Sequence, residues 1–270
     1  MTEKNKHNIF YTCYHKQEYS HEQFVEEHSL GFILSGEIHF FTAEEETILK
    51  AGTMGFVKKN QLMKALKVPS ANGEPNKGIN IILSEDALQK YAAEKNIPHQ
   101  PAYKGEANFD MSDNIALKKF FQSMMVYFDE PEKLTQEIEE QKTVEAIELL
   151  LKINPVFKTL LFDFREPHKI DLEAFMNLNF NFNIPMKNFA KLTGRSLATF
   201  KRDFKKLFEL SPERWLQQKR LERAHFLIAQ KHRRPSDIYL EVGFENLSHF
   251  STSFKKMFGY NATALALKHA

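Results

Sequence analysis

Two stretches in the last quarter of the chain set cations between phenylalanines at helical spacing. In FKRDFKKLFEL, Phe200, Phe204 and Phe208 recur every fourth residue, with Lys201, Arg202, Lys205 and Lys206 between them. In HFSTSFKKMFG, Phe250, Phe254 and Phe258 recur in the same way, with Lys255 and Lys256 between the last two. Rings at i, i+4 and i+8 share one face of a helix, so that face is expected to be buried and the others left free. The chemistry open to such a surface is recognition of a polyanion. Lysine and arginine pair with phosphate oxygens, and either can fork onto the O6 and N7 acceptors of guanine. Residues for covalent or metal chemistry are missing by comparison. His21, His28 and His39 stand seven and eleven residues apart with no His-x-His pair, so no metal site and no cofactor are expected. His28 and His39 read as surface or strand-end histidines, and Glu44, Glu45 and Glu46 as a solvated turn. Neither a phosphate loop nor a nucleophile elbow is present, and no enzymatic activity is expected.

The elements that position the cations repeat as well. The two stretches align at an offset of 50 residues, and the text before each also matches. IPMKNFAKLTG leads into the first stripe and PSDIYLEVGF into the second; each reads as a short helix ended by glycine, Gly194 and Gly243. Glycine tolerates the left-handed turn of a tight helix–helix corner. A new helix then starts, capped by Ser196 in one case and Asn246 in the other. A helix, a glycine turn and a second helix with an outward polar face form the helix-turn-helix pattern. A helical hairpin built only for packing would read alike in one copy; two lysine-bearing copies favour DNA. Between them, SPERWLQQKRLERAHFLIAQ opens with Ser211 as cap and Pro212 at the first helical position. From Pro212 to Gln230 this helix would be about 28 Å long, close to the roughly 34 Å between successive major-groove entries on one face of B-DNA.

The rest of the chain reads differently. The segment from residue 170 onward carries 17 Lys+Arg against 9 Asp+Glu, whereas the first 169 residues carry 20 against 26. A basic half beside an acidic one suggests that only one of them meets a polyanion. From Ile9 to about Leu83 short alternating runs broken at Gly36, Gly52 and Gly55 suggest a small sandwich or barrel. Amphipathic helices follow, over residues 84–95, 111–130 and 134–153. Such helices can hide a second apolar stripe against a twin subunit, so a homodimer is expected. Phe32, Leu34, Ile38, Phe40, Phe56 and Ile81 are the residues expected to line an apolar cavity in the barrel. The single cysteine, Cys13, allows no intrachain disulfide, and no apolar run approaches the length of a membrane span. A reducing, cytoplasmic setting fits this composition.

The region from Ile170 to about Leu267 resembles the AraC/XylS family of bacterial transcription regulators. The resemblance rests on the spaced Ser196, Phe200, Arg202 and Phe204, on Ser211-Pro212, and on the run from Arg220 to Ala224. It continues through Val242-Gly243-Phe244 to Phe250, Phe254 and Lys255. It implies an α+β chain: an N-terminal cupin-like β-barrel with flanking, dimerising helices (1–164), a linker (165–169), and an all-α domain with two helix-turn-helix motifs (170–270). It also implies double-stranded promoter DNA and RNA polymerase as partners and a role as an activator. The run TVEAIELLLKINPVFKTLLFDF is similar to one branch in which some members are controlled by a partner protein. Control by a small-molecule effector or a regulatory protein therefore remains open.

Carried across by position, the family's base-reading residues fall at Ala198, Lys201 and Arg202, with Thr199 and Lys205 set to meet phosphate. In the second helix they fall at Leu247, Ser248, His249 and Thr252, with Lys255 beside them. This sequence departs from the family there. Thr252 stands where arginine is common, and Leu247 offers only apolar contact, so the first motif is expected to carry most of the sequence discrimination. Tyr239 replaces a small residue four positions before the turn glycine. The competing reading is a sensor or scaffold whose basic helices bind an acidic protein.

Overall fold

The computed structural model describes residues 8–20, 23–42 and 46–268. His21, Glu44 and Glu45 lie outside the described residues. The chain divides into two compact units, Met1–Arg165 and Glu166–Ala270.

The first unit starts as antiparallel sheet. Its strands are β1 (Ile9–Tyr14), β2 (Glu18–Tyr19), β3 (Phe24–Val25), β4 (His28–Ser35), β5 (Glu37–Phe41), β6 (Glu46–Lys50), β7 (Met54–Val57), β8 (Gln61–Leu62), β9 (Lys64–Val68), β10 (Asn76–Leu83) and β11 (Asn108–Asp110). They form a five-stranded sheet ordered β1-β10-β4-β7-β11, a four-stranded sheet ordered β2-β9-β5-β6 and a β3-β8 pair. The expected barrel is corrected by this topology: among the described residues the sheets do not close on one another. The chain changes sheet at two glycine corners, Gly36 between β4 and β5 and Gly52 between β6 and β7, where Ala51 N–H donates to the Gly36 carbonyl at 3.0 Å. The five-stranded sheet then buries a face against helices instead of against further strands.

Those helices are α1 (Glu85–Glu94), α2 (Ile115–Ser123), α3 (Val126–Asp129), α4 (Gln136–Ile153) and α5 (Val156–Leu161). Ser84, Asn114 and Thr135 cap α1, α2 and α4 by accepting the N–H groups of Ala87, Leu117 and Ile138. The helix expected over 111–130 is broken at Met124 and Met125, so Leu117, Phe120 and Phe121 are buried while Ile115 is 72% exposed. One core joins sheet and helices: Leu30, Phe56, Ile79 and Ile81 pack with Phe121, Ile147, Leu150 and Phe157. Phe56 and Phe157 meet edge to face at 5.0 Å, a favourable geometry for rings of opposite edge and face potential. From α4, the buried Glu139 carboxylate accepts the N–H of Ile9 at 2.9 Å, and that of Asn8, tying β1 to the helix layer.

His28 is also corrected. It begins β4, as a strand-end residue should, but it is only 1% exposed. Its ring stacks on Phe56 at 5.5 Å, and its Nδ1 accepts the N–H of Lys59 at 3.1 Å. His39 on β5 is held between the carboxylates of Glu37 at 2.9 Å and Glu46 at 3.0 Å.

The second unit is helical: α6 (Leu172–Asn179), α7 (Met186–Leu192), α8 (Leu197–Phe208), α9 (Pro212–Lys231), α10 (Pro235–Ile238), α11 (Leu247–Phe258) and α12 (Ala262–Lys268). Helix α10, expected to run on to Gly243, is a single turn, and α6 stops at Asn179, beyond which Phe182 turns inward to 1% exposure. Helix α9 has 20 residues, about 30 Å at 1.5 Å per residue.

Candidate nucleic-acid interface

Helices α7 and α8 form the first corner. Thr193 closes α7, its hydroxyl donating to the carbonyls of Phe189 and Ala190 at 3.0 Å each. Gly194 follows at φ +64, and a Cβ there would collide with the His168 carbonyl and the Lys169 nitrogen. Only glycine satisfies both the left-handed dihedral and the close backbone. Arg195 then locks the corner: its guanidinium donates to the carbonyls of Thr193 at 2.7 Å and Ile170 at 3.0 Å and reaches Asp203 at 3.2 Å. Ser196 caps α8 by accepting the Thr199 N–H.

Along α8 the phenylalanine stripe faces inward, with Phe200 and Phe204 fully buried. Ala198, Lys201, Arg202 and Lys205 are exposed and Thr199 is half-buried. The two candidate base readers have acidic neighbours, Lys201 with Glu213 at 3.4 Å and Arg202 with Asp203 at 3.5 Å. With the Arg202 side chain 75% exposed, its pair is weak and easily exchanged for another anion. Burial pushes the Asp203 carboxyl up, but the Arg195 hydrogen bond and the charges of Lys169, Arg202 and Arg195 outweigh it and hold the group below its ordinary range. The carboxylate therefore stays charged and keeps its bond to Arg195.

The second corner repeats the first with different partners. Val242 and Phe244 are buried on either side of Gly243, which adopts φ +98. A Cβ on Gly243 would lie 2.7 Å from the Asn181 carbonyl oxygen and 2.8 Å from Arg220 Nε. Asn246 caps α11 by accepting the His249 N–H at 2.7 Å. Leu247, Ser248, His249, Thr252 and Lys255 are all exposed, and α11 contains no acidic residue. All ten residues carried over from the sequence thus lie on helices α8 and α11 away from the phenylalanine stripes.

Helix α9 holds both stripes through aromatic contacts. Near its start Trp215 packs on Phe208 at 4.8 Å and Phe204 at 5.5 Å. Near its end His225 packs on Phe258 at 4.7 Å and Phe254 at 6.1 Å, and its Nε2 hydrogen-bonds the Tyr260 hydroxyl at 2.8 Å. Trp215 was legible as an apolar strut residue. His225 was not, because a polar ring among charged neighbours gives no periodic signal. The corner roles of Arg195 and Arg220 were missed as well; their positions beside the two turn glycines become visible only in three dimensions.

The six residues expected to line a cavity are divided between two sheets. Phe56 and Ile81 are fully buried in the core shared with the helices, and Phe32 and Leu34 pack against it. Ile38 and Phe40 belong to β5 of the four-stranded sheet. Phe32 meets Phe121 of α2 at 5.3 Å, so this ring packs towards the helix layer. Among the described residues no group of three or more His, Cys, Asp or Glu is placed to hold a metal ion, and no helix is long and apolar enough to cross a membrane.

Two families match the chain. One, a helix-turn-helix domain, matches residues 189–266, and the other, an ExsA N-terminal regulatory domain, matches residues 28–158. The chain is 29% identical over 105 residues to the HTH-type transcriptional regulator ExsA of Pseudomonas aeruginosa, covering 39% of this chain and 38% of that protein. It is 33% identical over 88 residues to the virulence regulon transcriptional activator VirF of Yersinia enterocolitica, covering 33% of this chain and 32% of that one. The chain thus spans about a third of the length of these curated relatives, 38% and 32%. Among solved structures, that of apo ToxT K231A from Vibrio cholerae is similar over 97% of both chains, at 10% identity and a TM-score of 0.45.

Proposed function

We propose that this chain, which belongs to the AraC/XylS type of helix-turn-helix transcriptional regulators and carries an ExsA-like N-terminal regulatory domain, binds double-stranded DNA by setting α8 and α11 into successive major grooves. The observation that carries this reading is the pairing of two capped helices on one strut. Each buries its phenylalanines against α9 and leaves its cations in solvent. A strut of about 30 Å suits the groove-to-groove repeat of about 34 Å. Base reading falls to Lys201 and Arg202 with Ala198 on α8, and phosphate contact to Thr199 and Lys205. On α11, Leu247, Ser248, His249, Thr252 and Lys255 add affinity more than discrimination, since none of the first four can make an arginine fork.

The relatives ExsA and VirF are described as a transcriptional regulator and a transcriptional activator. On that likeness we extend the reading to activation through RNA polymerase in the cytoplasm. The N-terminal unit would confer control by a small effector or a regulatory protein, and would pair two copies. The matched families are those of transcription regulators, not enzymes.

The direct test is selection from a randomised duplex pool by the full-length chain, followed by titration of the selected duplex at rising salt. Specific complexes should form, and log K should fall linearly with log salt, by about 0.9 for each phosphate neutralised. Recovery of no sequence, together with capture of an acidic protein in its place, would overturn the DNA reading. On the selected duplex, Arg202→Ala should weaken binding by about 1–3 kcal/mol and relax selectivity at one base pair. A variant that keeps the parent's preference at every position would remove Arg202 from the reading surface.

A further inference from the structure

Helix α9 alone does not fix the second corner. The helix that opens that corner, α10, is one turn long and packs on the strut through the buried Ile238. What backs the corner is a segment from elsewhere in the sequence. Arg220, on α9, donates from Nε to the Phe180 carbonyl and from its terminal nitrogen to the Phe182 carbonyl, both at 2.8 Å. The same guanidinium and the Asn181 carbonyl oxygen both crowd the face of Gly243 that a Cβ would occupy. Two residues after Asn181, Asn183 Nδ2 donates to the Glu245 carboxylate at 2.8 Å. Segment 180–183 therefore meets the second turn at Gly243 and at Glu245, and within three residues it becomes α7, the opening helix of the first corner.

We propose that Arg220 is a positioning residue that sets the spacing between the two recognition helices, by bolting the second turn to the segment that leads into the first motif. The inference rests on the DNA-binding reading given above. Packing alone does not explain the seam. A groove of about 250 Å³ opens beside it, lined by Leu178, Phe180, Asn181, Arg223, Glu241 and Val242, and the directed hydrogen bonds add to the packing of Val242 and Phe244 against Leu221, Ala224 and Ile228. The guanidinium suits the task. Its planar fork reaches two carbonyls at once, which an ammonium on a flexible stem cannot do in a fixed geometry. Desolvation lowers its pKa to about 10, against an opposing pull from Glu245, so it remains charged at neutral pH. A half-buried fork of this kind imposes one register on the turn, and its loss removes that constraint.

The test uses the full-length chain and a two-half-site duplex selected by the parent from a randomised pool. Single base pairs are inserted into, or removed from, the stretch between the half-sites. Each step rotates one half-site by about 35° relative to the other. The parent should lose about tenfold or more in affinity for one step, as it would for a mismatched base pair. Arg220→Lys should lose no more than about threefold on the same duplexes, while its affinity for the α8 half-site alone stays at the parent's value. Asn183→Ala removes the neighbouring bond from a more exposed position. It should relax the spacing dependence in the same direction by a smaller factor, and it decides the matter if Arg220→Lys fails to fold by circular dichroism. If both folded variants keep the parent's spacing dependence, Arg220 is a packing residue and the proposal falls. If the parent itself selects no duplex, it is the DNA-binding reading that falls.

Discussion

Phe204→Ala should destabilise the C-terminal unit by about 3–5 kcal/mol, the usual cost of deleting a fully buried phenylalanine ring. The ring is completely inaccessible and has three aromatic neighbours, Phe208 at 4.4 Å, Trp215 at 5.5 Å and Phe200 at 5.6 Å. Removing it leaves a cavity that a helix of 12 residues, capped at both ends, has little freedom to collapse around. A loss of that size is a large part of the stability of an ordinary domain, so DNA binding should fall with it even though Phe204 touches no DNA in the proposed complex. The chain's only tryptophan, Trp215, sits against this ring and provides the readout. Urea denaturation followed by tryptophan emission should show the midpoint moving down by about 1 M or more, given an m-value of about 1–3 kcal/mol/M. Phe254→Ala deletes the equivalent ring of the second motif, where the strut residue is His225 in place of Trp215. It should cost a similar amount but shift tryptophan emission less in the native baseline. An unchanged midpoint for Phe204→Ala would mean that the stripe does not join α8 to the strut, and the two-motif architecture would lose its support.

The features legible in the sequence were local ones. Ser196, Asn246 and Ser211 could be named as caps because an N-cap side chain bonds an amide three residues away, and the structure shows each of them doing so. The phenylalanine stripes were legible because a period of four residues survives any tertiary context that buries one face. Gly194 and Gly243 could be placed at the corners for a similar reason. The collisions that make them obligatory come from residues 168–169 and 181, and from Arg220, which no spacing rule connects to them. The repeat also runs further than the stripes: Glu209 at φ 57 and Gly259 at φ 81 both close their helices in the left-handed region, 50 residues apart.

Strand alternation marked where strands run but not which strand pairs with which. Short β-runs therefore suggested closure into a barrel, where the chain instead crosses between sheets at Gly36 and Gly52. The same limit divided the expected cavity. Phe32, Leu34, Phe56 and Ile81 are apolar at every second position of their strands, and the α2, α4 and α5 layer claims them. His28 illustrates the remaining gap. An isolated polar residue at a strand start carries no periodic information, and its burial follows from Phe56 and the chain around Lys59 closing over it.

That burial makes the first unit sensitive to acid. Lys59 donates its backbone N–H to His28 Nδ1, so the proton of the neutral ring sits on Nε2, which is buried and has no hydrogen-bond partner. Burial, followed by the charges of Lys59 and Lys58, depresses the imidazole pKa from 6.5 to about 3, against a smaller upward pull from Asp163. The folded state thus excludes a proton that the unfolded chain accepts. Above pH 6.5 the ring is neutral in both states and adds no pH dependence. As pH falls below 6.5 the unfolded state binds the extra proton, and stability drops by about 1.4 kcal/mol per pH unit, or about 2 kcal/mol by pH 5. The slope ends near pH 3, where the folded state takes up the proton too, after a loss of about 4–5 kcal/mol. His39 acts in the opposite sense. The hydrogen bond it donates to Glu37 raises its pKa, so its contribution is full below pH 6.5 and is lost as pH rises through the raised value; its exposed pairs keep that contribution small. Glu27 and Glu85 border the same corner as His28. Glu85 already holds the Lys59 ammonium at 2.8 Å, and Glu27 accepts the Glu85 N–H at 3.1 Å. His28→Asn keeps an acceptor for the Lys59 N–H and cannot titrate. Amide hydrogen exchange in β4 and β10 at pH 7.5 and pH 5, corrected for intrinsic rates, should show protection falling in the parent and holding in the variant. Equal losses in the two proteins would assign the acid sensitivity to other groups and remove His28 from the account.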